Sequence, residues 1–105
     1  MTGQKLTGRL LAAGRALAGI SHADLATASR TPLDTVLLLE ANGSAWVPDT
    51  HAEALLAALE TFGIIVIAES DGMGAGVRLK FTRQDTRQIA RLENEGGIAR
   101  QDDVP

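Results

Sequence analysis

Apolar residues recur at helical spacing in four separate stretches of the first 63 residues. In residues 6–17 they fall three or four positions apart and would line one face of a helix. Shorter stretches of the same kind occupy residues 22–29 and 32–41, and a fourth runs over residues 50–62. Gly19, Gly43 and Gly63 follow three of these stretches, where a residue that tolerates positive φ can end a helix. The pattern predicts four helices.

Three of these helices carry the spacing of a capping box at their start. A Ser or Thr hydroxyl accepts a hydrogen bond from a backbone N–H of the first turn, and an acidic residue three positions later accepts one in return. The pairs are Ser21 with Asp24, Thr31 with Asp34 and Thr50 with Glu53. Pro32 is expected at the first helical position, where its missing N–H costs nothing. The first two boxes predict a tight turn between two short helices.

After residue 63 the hydrophobic period changes. Residues 64–68 form a β-branched run too short for a helix, and residues 76–81 alternate apolar and basic side chains around a Gly-rich turn. This pattern predicts a β-hairpin. The glycines at 72, 74 and 76 join two strands and precede no helix, so they do not form a dinucleotide-binding motif.

A two-stranded hairpin is marginally stable alone, so we expect a second copy to pair with it in a homodimer. The expected dimer interface comprises Ile64, Ile65, Val66, Ile67, Val77 and Leu79. Residues 82–95 predict a short, mostly polar helix. The expected organisation is a helical domain over residues 1–63, a dimerising hairpin over 64–81, and a C-terminal helix and flexible tail over 82–105.

Composition narrows the class of protein. With 105 residues, 45% of them hydrophobic and 22% charged, the chain has the composition of one globular domain. It has no cysteine, no signal-like N-terminus and no run of 18 apolar residues, so we expect a cytoplasmic protein that does not enter membranes. The net charge is −3, and residues 34–71 hold seven acidic residues and no Lys or Arg. A duplex would repel that segment unless it faced away.

Few side chains offer catalytic or metal-binding chemistry. The two histidines, His22 and His51, each lie in a predicted first helical turn without a second ligand at metal-binding spacing. We therefore expect no enzyme activity, metal or cofactor. Trp46 lies in the loop after the third helix, where it can anchor a partner or, as is commoner, pack back over its own domain.

The predicted helix pair carries a family resemblance. Ser21, Leu25-Ala26, Thr35-Val36, Leu39-Glu40 and Gly43 resemble the Cro/C1-type (XRE-like) helix-turn-helix regulators, whose pattern is S-Q-x-x-L-A, then G-V-S, then x-x-T-I-x-x-L-E-x-G. The similarity extends over about residues 6–81. It implies a mainly α, lambda-repressor-like helix-turn-helix domain of four helices, followed here by the hairpin and a short helix. It also implies a dimeric, sequence-specific DNA-binding transcriptional regulator.

In that family the start of the second helix contacts the phosphate backbone, and the start and exposed face of the third enter the major groove. Carried across by position, the family's contact sites are His22, Thr31, Pro32, Leu33, Asp34, Thr35, Leu37 and Leu38. The DNA contacts that we predict are Ser21, His22, Arg30, Thr31 and Thr35, with Arg9 or Arg15 as backbone candidates. His22 replaces the family's Gln, and Arg30, Thr31 and Pro32 replace its Gly-Val-Ser.

The outward positions of the third helix depart from the family. Leu33, Leu37 and Leu38 stand where the family places polar residues, and Asp34 is acidic. One interpretation is that the leucines fill a slightly rotated helix or contact thymine methyl groups. The other is that they form a protein interface, because contiguous apolar surface usually marks one. The alternative function is then a helix-turn-helix-derived interaction module, such as an anti-activator, co-regulator or antitoxin-like partner, with little or no DNA binding.

Overall fold

Four helices and a two-stranded sheet follow one another along residues 6–82, the part of the chain that the computed structural model describes. The elements are α1 (Gly8–Ala18), α2 (His22–Ser29), α3 (Leu33–Ala41), α4 (Asp49–Thr61), β1 (Ile64–Ile67) and β2 (Gly76–Leu79). The mainly α class with a hairpin after four helices is confirmed. The helix predicted over residues 82–95 falls outside the described residues, apart from Thr82 itself.

Only one of the three predicted capping boxes forms. At the start of α2, the backbone N–H of Asp24 donates to Ser21 Oγ at 3.0 Å, and the N–H of Ser21 donates to Asp24 Oδ2 at 3.2 Å. The N-cap of α1 was not predicted from the spacing. It is Thr7, whose Oγ1 accepts a hydrogen bond from the backbone N–H of Leu10 at 3.1 Å. Both caps satisfy N–H groups that have no partner within the helix.

The boxes predicted at Thr31 and Thr50 are wrong, because a proline takes the cap position in each case. Pro32 precedes α3 and Pro48 precedes α4, with φ of −56° and −58°, and neither helix has a side-chain cap. The carbonyl of each proline accepts the first helical hydrogen bonds. Thr31 is thereby left outside α3, whereas Thr50 falls within the first turn of α4.

The core is almost entirely aliphatic and joins all six elements. α1 contacts α3, α4 and both strands, while α2 packs between α3 and α4. The largest fully buried side chains are Leu6, Leu11, Leu25, Val36, Leu55, Leu59 and Ile64. Their burial supplies the main stabilising term for a chain with so few aromatic residues.

The backbones of α1 and α3 touch at Gly8. A Cβ atom on Gly8 would overlap the backbone oxygen of Leu39 and lie 3.2 Å from the nitrogen of Gly43. The same region is held by three backbone hydrogen bonds between residues 6–9 and 43–47, which we call the clamp. They join Gly8 N to Ala45 O (3.2 Å), Arg9 N to Gly43 O (2.7 Å) and Val47 N to Leu6 O (2.7 Å).

The hairpin presents one face to the helices. Ile64 lies opposite Leu79 and Val66 opposite Val77 in the antiparallel register. Ile64 and Val66 are buried in the core of their own chain, and Val77 packs against it. These residues were predicted to form a dimer interface, and for Ile64 and Val66 that assignment is wrong, since α1 and α4 already cover them. Only Ile65 and Ile67, on the outer face, and Leu79 remain exposed.

The loop between the strands ends in a defined turn. Ser70 and Met73 exchange backbone hydrogen bonds of 3.1 and 2.8 Å. Between them Asp71 and Gly72 have φ of 53° and 77°, the pattern of a two-residue type I′ turn. The Gly-rich turn predicted between the strands therefore has its own hairpin tip.

Gly8→Ala is expected to lower the free energy of unfolding by about 3 kcal/mol, because relieving the overlap moves α1 away from α3. Urea denaturation measures the change. Gly74→Ala is the matched control: no atom lies within 4 Å of its added Cβ, and its φ is not positive. Equal stability of the two variants would contradict the backbone contact.

Candidate functional site

The turn between α2 and α3 is three residues long and is built on an arginine in the left-handed conformation. Arg30 has φ 57° and ψ 37° and ends α2, with its backbone N–H directed at the carbonyls of Ala26 and Thr27. Its side chain is exposed. This conformation costs about 1 kcal/mol for a residue with a Cβ, and glycine avoids the cost. The guanidinium group is thus displayed at the corner between the two helices.

The other predicted contact residues differ in accessibility. Ser21 is exposed but caps α2, and Thr35 is half-buried in the first turn of α3. Thr31 is only 5% exposed, and its hydroxyl donates to the carbonyl of Ser29 at 3.4 Å. Its backbone N–H bonds to Ala26 O at 3.0 Å. Thr31 therefore holds the turn together and presents almost no surface to a ligand.

His22 and Arg15 both bind the carboxylate of Glu40. Arg15 Nε lies 2.9 Å from Glu40 Oε2 and its Nη2 lies 3.2 Å from Oε1, a two-pronged contact. His22 Nε2 lies 3.0 Å from Glu40 Oε1. Arg15 Nη1 also donates to the carbonyl of Ile20 at 3.1 Å. We call Arg15, His22 and Glu40 the Glu40 network; it connects α1, α2 and α3.

Two predicted DNA contacts, Arg15 and His22, are bound to Glu40 within the network. Their side chains are therefore less available to a phosphate. Residues 6–61 contain three basic residues, Arg9, Arg15 and Arg30. The Arg15 guanidinium is neutralised by a carboxylate that is only 9% exposed, and His22 bonds to the same group. Within the described part of the chain, Arg9 and Arg30 make no ion pair.

The apolar face predicted on α3 is exposed. Val36 and Leu39 point into the core, at 0% and 7% exposure, whereas Leu33, Leu37 and Leu38 are 42%, 45% and 62% exposed. The helix is therefore not rotated to bury its outer leucines. We call these three residues the leucine face. Asp34 lies exposed beside it.

The described part of the chain does not bury Trp46, which differs from the commoner of its two predicted arrangements. Its side chain is 62% exposed, although its backbone pairs with Thr7 in a short antiparallel bridge. It therefore stands at the surface beside the start of α1.

Metal-ligand groups, membrane-spanning helices and similarity to known proteins were also considered as signs of function. No group of three or more potential metal ligands occurs among residues 6–82. None of the helices in this part of the chain combines the length and apolar character needed to cross a bilayer. No protein-family model, curated protein or solved structure matches the chain.

Glu40 is the residue whose role sequence reasoning missed. The motif pattern included it, but only as a matching letter within an acidic segment. A usable signal was present, because Glu40 lies four residues after the inward-facing Val36 and so on the same side of α3. An acidic residue at the border of a core needs a cationic partner.

Glu40→Gln is expected to lower the free energy of unfolding by about 2 kcal/mol, because Arg15 then loses its counter-charge while remaining partly buried. Urea denaturation near neutral pH measures this. Glu53→Gln, at an exposed position on α4, removes the same charge and is expected to change stability by less than about 0.5 kcal/mol. The Glu40 network would not be a stabilising contact if both variants behaved alike.

Proposed function

We propose that the chain is a cytoplasmic, sequence-specific DNA-binding transcriptional regulator with a lambda-repressor-like helix-turn-helix domain. In this proposal α2 and α3 are the helix-turn-helix pair and α3 is the recognition helix. The observation that supports it most is the position of α3 at the surface. The core and the Glu40 network hold its inner side, and no described residue covers its outer side.

The side chains of α3 favour reading by shape and apolar contact over reading by charge. In a major groove, exposed leucines meet the methyl groups of thymine, and the hydroxyl of Thr35 can bond to a base or a phosphate. Asp34 can accept from the amino group of cytosine. Such contacts fit a site rich in base-specific but poor in phosphate contacts, which agrees with the net charge of −3.

Arg30 is the basic side chain placed to anchor this helix pair on DNA. It is exposed at the turn, makes no ion pair among the described residues and is held by the left-handed backbone of the C-cap. A bidentate contact from arginine to a guanine or a phosphate contributes about 1–3 kcal/mol. Ser21 lies at the exposed start of α2, where its free lone pair and hydroxyl proton can approach a phosphate.

The proposal includes a dimer formed through the outer face of the hairpin. Ile65 and Ile67 are each 39% exposed there and lie side by side on β1 with Arg78 across from Ile65. Two copies related by a two-fold axis would cover this face and present two recognition helices to a palindromic site.

Arg30→Gly separates recognition from folding. Removing the guanidinium is expected to weaken duplex affinity at least tenfold, and to reduce the slope of log affinity against log salt by about 2 for a dimer. Stability is expected to stay unchanged or rise by about 1 kcal/mol, because glycine adopts the left-handed conformation freely. Fluorescence anisotropy on duplexes from the gene's own upstream region, at several salt concentrations, measures the affinity.

Lys80→Gln, which removes one positive charge at an exposed position after the end of β2, serves as the matched control and should retain wild-type affinity. Light scattering on the same samples reports the mass, and a monomer at micromolar concentration would contradict the dimer. Failure of the wild-type protein to bind any upstream duplex at low salt would contradict DNA binding itself.

The leucine face supports a second candidate function, a protein-interaction module with little or no DNA binding. Three exposed leucines on two turns of one helix are the arrangement by which an amphipathic partner helix is bound. In this case α3 meets another protein, and Asp34 and Arg30 lie at the polar rim.

A pair of substitutions at Leu38 discriminates between the two candidates. If α3 lies in the groove, Leu38→Lys is expected to raise duplex affinity several-fold at low salt, whereas Leu38→Glu lowers it by repulsion from the phosphates. Ala57→Lys, an exposed position on α4, is the control for added charge alone. Duplex affinity that is equal for both Leu38 variants and wild type would favour the protein-interaction module.

A further inference from the structure

Two dipeptides have a sequence that favours rearrangement of the main chain, Asn42-Gly43 after α3 and Asp71-Gly72 at the hairpin tip. In each, the glycine nitrogen can attack the side-chain carbonyl carbon of the residue before it, because glycine has no Cβ to hinder the approach. In an unstructured peptide the asparagine reacts faster, because the ionised carboxylate of an aspartate resists attack. The sequence alone therefore singles out Asn42.

The structure restrains the reacting nitrogen of Asn42-Gly43. The N–H of Gly43 donates to the carbonyl of Glu40 at 3.3 Å, and a Cβ atom on Gly8 would lie only 3.2 Å from the same nitrogen. The carbonyl of Gly43 accepts from the N–H of Arg9 at 2.7 Å, which is one of the bonds of the clamp. Turning the Gly43 nitrogen toward the side chain of Asn42 breaks these contacts, so the reaction requires local opening of the clamp.

The equivalent nitrogen at the hairpin tip is unrestrained. The N–H of Gly72 makes no hydrogen bond among the described residues, and no atom lies within 4 Å of the position that a Cβ on Gly72 would take. Asp71 and Gly72 are both exposed. The turn is closed by the two hydrogen bonds between Ser70 and Met73, and a loop tip of this kind opens at little cost in free energy.

We propose that Asp71, and not Asn42, is a site of spontaneous isoaspartate formation in the folded protein. The Gly72 nitrogen forms a bond to the side-chain carbonyl carbon of Asp71, and its proton leaves with the carboxyl hydroxyl as water, which gives a cyclic succinimide. Water then adds to the main-chain carbonyl carbon of Asp71, and the original bond from that carbon to the Gly72 nitrogen breaks. The main chain now passes through the former side chain.

The product carries a free α-carboxylate at an exposed turn. An isoaspartyl α-carboxylate is the chemical group that isoaspartate methyltransferases accept from S-adenosylmethionine-dependent repair, so an enzyme of this class is the partner that the modified tip fits. The reaction consumes no oxidant or other reagent, and the proposal does not depend on DNA binding.

The test follows both positions in the purified 105-residue protein during prolonged incubation at physiological temperature and pH. Cleavage after glutamate separates the two dipeptides, because Glu53 and Glu69 lie between them, and fragmentation mass spectrometry distinguishes isoaspartate from aspartate. Methyl transfer from labelled S-adenosylmethionine by an isoaspartate methyltransferase is an independent readout. Isoaspartate is expected to accumulate at Asp71 while Asn42 keeps its amide. In guanidinium chloride the order of reaction is expected to reverse.

Asp71→Asn provides a matched comparison, because it places the same Asn-Gly dipeptide at the tip and after α3. Asn-Gly is a preferred sequence for a type I′ turn, so the variant is expected to keep its fold. In the folded variant the substituted position is expected to lose its amide at least about tenfold faster than Asn42, because opening the tip costs less than opening the clamp. In guanidinium chloride the two rates are expected to converge.

The proposal is overturned if Asn42 in the folded wild-type protein loses its amide before isoaspartate appears at Asp71. Equal rates at the two positions of folded Asp71→Asn would also overturn it, because the structure would then give no selective protection. So would an Asp71 that stays unchanged in the folded protein over a period in which the denatured chain isomerises there.

Discussion

The carboxylate of Glu40 determines how the first three helices lie against one another. It accepts two hydrogen bonds from Arg15 on α1 and contacts His22 on α2 while belonging to α3. Removing a carboxylate from water is costly, and the Arg15 guanidinium beside it offsets that cost in this arrangement. An alternative packing of the helices would leave a nearly buried charge without partners.

This solution has a consequence for the recognition surface. Two residues predicted as DNA contacts, Arg15 and His22, instead bind Glu40 and hold the helices together. The structural use of Arg15 and His22 leaves the helix pair with Arg30 as its exposed cation, next to a helix whose outer side is leucine. Glu40 thus affects both the stability of the domain and the charge of its surface. Because its carboxylate pairs with Arg15, little positive charge remains beside the apolar outer side of α3.

Local features were predicted well where the partners are close in the chain. The Ser21 box forms because its two members need only a single helical turn. The boxes at Thr31 and Thr50 failed for an equally local reason, since each adjoins a proline whose carbonyl starts the helix instead. Here two local rules competed, and the sequence spacing alone does not rank them.

Long-range features were harder to predict. The continuous apolar run of β1 indicates that both faces of the strand need cover, but it does not say whether Ile64 and Val66 meet their own helices or a second copy. Arg15 and Glu40 are 25 residues apart, so no local spacing relates them.

The clamp also influences the order in which the domain folds. Its three hydrogen bonds join residues separated by 34 to 41 positions, so forming them requires closure of a loop that contains α2 and α3 entirely. Helical turns form in less than a microsecond, whereas such long-range contacts dominate the folding barrier. We therefore expect α2 and α3 to acquire helical structure early and α1 to dock late, so that the clamp limits the rate at which the chain reaches its native state.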